Sequence, residues 1–354
     1  MIFDYDILYR AWQNSSRGKH GAPNQARYEY YLEENLYHLQ AQLESGTFCP
    51  SPLRTKQIYI PKRRVAQVPS LVDKVVQHAI CDNYAYDALT RPLIKETAAC
   101  IRGRGARYAV DLFKQSLHRF YRKCGHRPYI LKCDIHSYFA TIPHGRLKAL
   151  VERYILDDDV KRIMLQFVDM TEVGLPLGLQ QSQLLANLYL SEMDHKIKEQ
   201  FHAKYYGRYM DDFYIISDSK AELQTVWSWL ADYLAGIGLQ LNPKTDIYHG
   251  DVDFLGFTFR LTETGKVIVR LRKDKRKAQK NRVRLMARQI EEGKLFPEQA
   301  AQSYAGWRTH ALEGNCRNLV LKMDERFDNR LREAGYELKI EGRSVEICPA
   351  QLRN

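Results

Sequence analysis

Apolar residues recur every three or four positions in "RYEYYLEENLYHLQAQLESG" (27–46), which closes on glycine, the pattern of a packed helix with a stop signal. A polar break, "NSSRGKHGAPNQ" (14–25), precedes it, and "TKQIYIPKRRVAQVPS" (55–70) reads as two strands around a basic turn at Lys62, Arg63 and Arg64. The helical period returns in "SLVDKVVQHAICDNYAYDAL" (70–89), and a Gly/Arg loop, "CIRGRGARYAV" (100–110), leads into a further helix. "RPYILKCDIHSYFATIPH" (127–144) is a strand with one acid, Asp134, at its end, and "GLPLGLQQSQLLANLYLSEMDHKI" (174–197) is a Gly/Pro loop entering a long helix. In "YGRYMDDFYIIS" (206–217) aromatic and β-branched residues flank Asp211 and Asp212, predicting a strand–turn–strand. A helix (220–237), a turn "LNPKT" (241–245) and a strand pair (253–271) follow. The chain then turns basic and helical (270–288), with a further helix at 301–315 and a short β-type tail at 336–354.

Composition narrows the partners. A formal net charge of +12 in 354 residues, with 11% aromatic residues, favours nucleic acid. There is no apolar run of transmembrane length, and "MIFDYDILYR" has no signal-peptide pattern, so no membrane partner is expected. The seven cysteines are scattered and form no C-x-x-C pair, which argues against structural zinc and a disulfide framework and fits a reducing cytoplasm.

Two adjacent carboxylates in a half-buried turn repel each other unless a cation relieves them; the alternative is a solvent-exposed turn. A strand ending in one Asp, followed later by a hairpin carrying two, suits two-metal phosphoryl transfer. That chemistry needs oxygen ligands around a pair of divalent ions roughly 3.5–4 Å apart.

These residues carry a family resemblance. Tyr209-Met210-Asp211-Asp212 resembles the Y-x-D-D box of reverse transcriptases, and "LKCDIHSYFATI" resembles their first palm motif. "LPLGLQQSQLLANLYL" is similar to the third, "LNPKT" to the fourth and "DFLGFTF" to the fifth, a primer-gripping hairpin; the order is kept from about residue 55 to 315. The resemblance implies an α+β right-hand polymerase with fingers, an RRM-like palm and a helical thumb. Its implied divisions are fingers with N-terminal helices (1–106), palm (107–143), a fingers insertion (144–172), palm again (173–262), basic thumb (263–335) and tail (336–354). At this length no RNase H or integrase domain, and no maturase or endonuclease extension, is expected.

The resemblance also implies roles. Asp134, Asp211, Asp212 and the Ile135 carbonyl would hold two Mg²⁺ ions, with Mn²⁺ as a substitute, and Lys244 would serve the departing pyrophosphate unless it is an ordinary surface lysine. Arg64 would clamp the incoming dNTP with Lys62 and Arg63, since guanidinium binds phosphate bidentately; a solvated turn is the alternative. Phe139 occupies the steric-gate position, or is a core ring beside Tyr138, and Gln183 falls within the dNTP-binding motif. Arg102, Arg104, Leu177, Gly178 and Gly256 would meet template or primer. The basic run, with Arg276, Lys277, Lys280 and Arg284, would track the RNA template–cDNA duplex by phosphate contacts.

The stretch Leu177-Gly178-Leu179-Gln180-Gln181-Ser182-Gln183 departs from the Q-G-x-x-x-S-P of intron and retron enzymes. It is similar to diversity-generating retroelement reverse transcriptases, which copy a template-repeat RNA with errors at adenine. "AWQNSSRGKHG" (11–21), "SLVDKVVQHAICDN" (70–83) and the compact size also resemble that group, whereas "LQQ" departs from it. That resemblance implies a structured noncoding RNA and a small basic accessory protein or second subunit as partners. The other readings are a phage-defence reverse transcriptase copying a small noncoding RNA, and a catalytically idle RNA-binding scaffold.

Overall fold

Side-chain caps fix several helix starts. The computed structural model describes residues 3–17, 23–58 and 64–350. Asp4 accepts from the Ile7 amide at 2.8 Å and opens α1 (Tyr5–Ser16); α2 (Pro23–Tyr30) and α3 (Leu32–Glu44) follow. The polar break is thus mostly helix at both of its ends. β1 (Arg54–Ile58) and β2 (Arg64–Val68) pair antiparallel. A capping box between Ser70 and Asp73 starts α4 (Leu71–Ile80). The single helix expected over 70–89 is instead α4, a π-helical turn (Cys81–Ala85) and α5 (Tyr86–Thr90).

α6 (Ala106–Cys124) ends on left-handed Gly125, and β3 (Tyr129–Cys133) follows. After it come the one-turn α7 (Tyr138–Thr141), α8 (His144–Tyr154) and α9 (Asp158–Val168). The long helix expected from 174 to 197 breaks at Leu190 into α10 (Gln180–Tyr189) and α11 (Ser191–Glu199). β4 (Tyr205–Tyr209) and β5 (Asp212–Ser217) form the expected hairpin, α12 (Lys220–Gly236) follows, and β6 (Asp246–Tyr248) returns to the sheet.

The central sheet is antiparallel in the order β4-β5-β3-β6. Alternation divides its residues between two cores, as period 2 requires. Leu131, Cys133, Phe213 and Ile215 join the core shared with Leu185 of α10 and Leu230 of α12. Ile130, Tyr205, Tyr214 and Ile216 join a second core with Phe113 of α6. That core also takes the buried face of a separate sheet, β7 (Val252–Phe254), β8 (Phe257–Leu261) and β9 (Val267–Leu271), three strands where two were expected.

α13 (Lys273–Glu291), α14 (Pro297–Leu312) and α15 (Arg317–Glu333) close a third core with the hairpin β10 (Tyr336–Glu341) and β11 (Ser344–Pro349). Two helical groups thus flank an antiparallel sheet, the right-hand polymerase arrangement. Among the described residues, no helix is long and apolar enough to cross a membrane.

Candidate active site

Asp134 directly follows β3, while Asp211 and Asp212 sit at the turn between β4 and β5, the strand that pairs with β3 through Cys133 and Phe213. The sheet therefore brings residues 77 positions apart to one end. Asp134 is fixed from the fourth-motif segment. Its backbone carbonyl accepts from the Asn242 amide at 2.7 Å, and its Oδ2 accepts from Asn242 Nδ2 at 2.9 Å. Asn242 Oδ1 in turn accepts from the Lys244 amide at 3.1 Å, which sets the turn but leaves the Lys244 side chain exposed.

The sequence pattern showed no cation beside the paired acids, yet the structure supplies one. Lys132 Nζ donates to Asp212 Oδ1 from a largely buried position. Burial pulls the lysine down to about 8, against the opposing pull of nearby Asp134, Asp211 and Asp253. All three sequence-predicted acids are thus near one ammonium, and all remain partly exposed. Their hard oxygens fit a divalent ion. Asp212 is held by Lys132 in this structure, so a metal ion engaging its carboxylate would have to displace that contact. Among the described residues no three His, Cys, Asp or Glu side chains converge on a single metal position.

The turn itself is strained. Met210 has φ +57°, a left-handed conformation that hairpin turns usually give to glycine or asparagine. Arg208, 1% exposed, holds it there: its Nη1 donates to the Met210 carbonyl at 3.0 Å. The rest of that guanidinium is spent on Asp194 of α11, with Nη2 at 2.6 Å and Nε at 2.8 and 3.0 Å, and on Asn187 of α10. Asp194 also accepts from Tyr206 Oη at 2.5 Å and Thr97 Oγ1 at 3.1 Å. Arg208, Asp194 and Asn242 are site-forming residues that motif matching did not single out. A fully buried arginine and aspartate lie 14 positions apart on different elements, so their pairing has no local sequence signal.

Phe139 is half-buried on α7, edge-on to Tyr138 at 5.7 Å, with its carbonyl bound to the Leu175 amide at 2.6 Å. The backbone thus locks its position while part of the ring stays open. Leu177 is exposed, and Gly178 (φ +140°) lies so close to β2 that an added Cβ would meet the Gln67 carbonyl at 2.4 Å. Gln183 is exposed on α10, and its Oε1 accepts from Cys100 Sγ at 2.8 Å.

Arg102 stacks over Tyr86 at 4.0 Å and donates to the Asp82 carbonyl. Arg104 has a structural use as well: Nη1 binds the carbonyls of Ile94 and Thr97, beside the segment that bridges to Arg208. Arg64 opens β2; its side chain, with Lys62 and Arg63, lies outside the described residues.

Gly256, at φ +85° in the turn between β7 and β8, lines a cavity of about 660 Å³ with Tyr209, Lys275, Arg282 and Trp307. Two buried donors of this cavity, Gln279 Nε2 and Trp307 Nε1, have no hydrogen-bond partner among the described residues. A ligand with acceptor oxygens would satisfy them. Of the basic-helix residues expected to track a duplex, Arg276 lines a different cavity, and Lys277, Lys280 and Arg284 are exposed.

A profile of the reverse transcriptase (RNA-dependent DNA polymerase) family matches residues 56–259. The chain is similar to the group II intron-encoded protein LtrA of Lactococcus lactis subsp. cremoris, 27% identical over 209 residues, covering 53% of this chain and 33% of that protein. It thus spans about a third of that relative's length. Protein YkfC of Escherichia coli (strain K12) is 26% identical over 302 residues, covering 70% of this chain and 77% of that protein. Among solved structures, a truncated apo telomerase from Candida tropicalis aligns with a TM-score of 0.48 at 15% identity, over 65% of this chain and 58% of that one. Telomerase from Candida albicans with a fragment of telomeric RNA aligns with a TM-score of 0.48 at 14% identity, over 86% and 64%. The family profile covers more than half of the sequence and spans the sheet that gathers Asp134, Asp211 and Asp212: the chain belongs to the reverse transcriptase family.

Proposed function

We propose that this protein synthesises cDNA on an RNA template by two-metal nucleotidyl transfer, as the error-prone polymerase of a diversity-generating retroelement. The observation that carries the polymerase reading is the pairing of β3 with the strained β4–β5 turn, which presents Asp134 and Asp211 at one sheet end. Asp134, Asp211 and the Ile135 carbonyl would hold the divalent ions, with Asp212 joining once Lys132 yields it. Those ions, when bound, activate the primer 3′-hydroxyl and neutralise the leaving pyrophosphate. The chain's own part is positional: Asn242 orients the Asp134 carboxylate and Arg208 fixes the carbonyl preceding Asp211.

The error-prone mode is supported by Leu177, an exposed aliphatic side chain where intron-type enzymes carry glutamine. Leucine packs but neither donates nor accepts a hydrogen bond, so a template base held there has more freedom to shift. The adenine bias is drawn from the family resemblance alone.

Primer extension on a defined RNA, followed by sequencing of the cDNA, tests both levels. Asp211→Asn removes a metal-binding charge and should reduce incorporation by several orders of magnitude, at about 1.4 kcal/mol per decade. Undiminished synthesis by that variant would show that the reaction does not run at Asp211 and would end the assignment of catalysis to this carboxylate cluster. Errors indifferent to the template base would end the diversity-generating one.

A further inference from the structure

α13 leaves β9 almost directly, and its two flanks face different places. At about 100° per residue, the buried Gln279, Val283, Met286 and Ile290 mark the inner face. Lys275 and Arg282 fall on one flank and line the cavity beside Tyr209 and Gly256. Lys273, Arg276, Lys280 and Arg284 fall on the other. Lys273 and Arg276 line a second cavity of about 190 Å³, with Arg260 and Arg270 from the outward face of β8 and β9.

One acid answers this cluster. Asp251 binds Arg260 bidentately, at 2.5 to 3.0 Å. Among the described residues, Arg270, Lys273 and Arg276 have no ion-pair partner, and Arg276 Nε is buried without a hydrogen bond. Collecting like charges around one small concavity is unfavourable unless an anion shares it. The cluster does not stop at the cavity. Arg276, Lys280 and Arg284 continue it at four-residue intervals, about 12 Å along the helix. A single phosphate would use only one end of such a stripe, whereas a nucleic-acid backbone would use its length.

We infer that the outward face of β8–β9 and the adjoining flank of α13 form a second polyanion-binding surface, apart from the cleft, whose partner is a helical arm of structured RNA. Lysine and arginine without an aromatic or amide partner in the stripe read backbone and shape rather than sequence, as suits double-helical RNA. The inference rests on the reverse transcriptase reading only for naming the other flank as the copying cleft.

The test uses the full chain, a short RNA stem-loop of arbitrary sequence and a short RNA/DNA primer–template. The stem-loop should bind protein already saturated with primer–template. Arg270→Gln with Lys273→Gln should weaken stem-loop binding on the order of tenfold and flatten its salt dependence by roughly 0.7–0.9 log units for each phosphate no longer neutralised. Extension of the short primer–template should persist. Lys275→Gln with Arg282→Gln should do the reverse, and the charge-keeping Arg270→Lys with Lys273→Arg should retain stem-loop binding. Competition between the two ligands, equal loss of both, or unaltered stem-loop binding would each overturn the inference. Absence of extension by the wild type would instead count against the polymerase reading, since stem-loop binding is measured independently.

Discussion

Arg208 offers a way to separate holding the fold from positioning the reaction. It donates six hydrogen bonds within a site closed to solvent, five to Asp194 and Asn187 and one to the Met210 carbonyl. Its charge is stabilised in place: the adjacent Asp194 carboxylate raises its already high pKa against the opposing effect of burial, which is the largest single influence. Arg208→Met alone would leave Asp194 buried without its counterion, at a cost of about 3–5 kcal/mol, and the protein should melt lower and express poorly. Adding Asp194→Asn removes the orphaned charge and keeps one acceptor oxygen for Tyr206 or Thr97, the other hydroxyl turning to accept from the new amide NH2. That double variant should recover to within about 1–2 kcal/mol of the parent.

Activity should not recover with it. The Met210 carbonyl still lacks its charged donor, a bond worth about 1.5–3 kcal/mol, and the left-handed Met210 can relax. If that energy serves to place Asp211, kcat falls roughly ten- to 150-fold. Arg208 has no exposed atom with which to meet a nucleotide, so KM for dNTP should stay near the parent value. Thermal melts paired with steady-state primer extension on RNA make the comparison. A double variant that regains both stability and turnover would show that Arg208 acts only as core and would refute the positioning argument.

Phe139→Val should admit ribonucleotides while retaining dNTP use, because its half-buried ring sits on a backbone fixed by Leu175; unchanged rNTP incorporation would make it a packing residue. Leu177→Gln should lower misincorporation about two- to tenfold, the selectivity of one added hydrogen bond, and sequencing of cDNA from a template with all four bases in matched contexts reads it directly.

The fold was legible where periodicity and burial agree. The β4–β5 hairpin reads from its alternating apolar residues, and β3 reads as the strand that ends on Asp134. Element breaks were less visible. Leu190 separates α10 from α11 with no glycine or proline to mark it, and a π-helical turn interrupts what looks like one amphipathic helix after Ile80. The motif acids were found because they are consecutive or strand-terminal. Lys132 was missed although it lies two residues before Asp134, since a lysine in a strand is ordinarily solvated and only the pairing of β3 with β5 aims it at Asp212. The flanks of α13 could be drawn from the sequence, but not what each one faced.

That last gap explains why net charge predicts so little by itself. The 54 lysines and arginines count alike in the sequence, yet the fold gives them different work according to what neutralises them. Arg208 is answered by Asp194 inside the core and so can act only through the backbone it grips. Lys132 is answered by Asp212, and a divalent ion reaching that carboxylate has to compete with it. Lys275 and Arg282 stand beside Tyr209, whereas Lys273 and Arg276 stand around a separate hollow with Arg270. A polyanion can be drawn only by charges that no carboxylate has already answered. The pairing pattern, more than the total of +12, therefore singles out which cationic surfaces are left free to draw a polyanion.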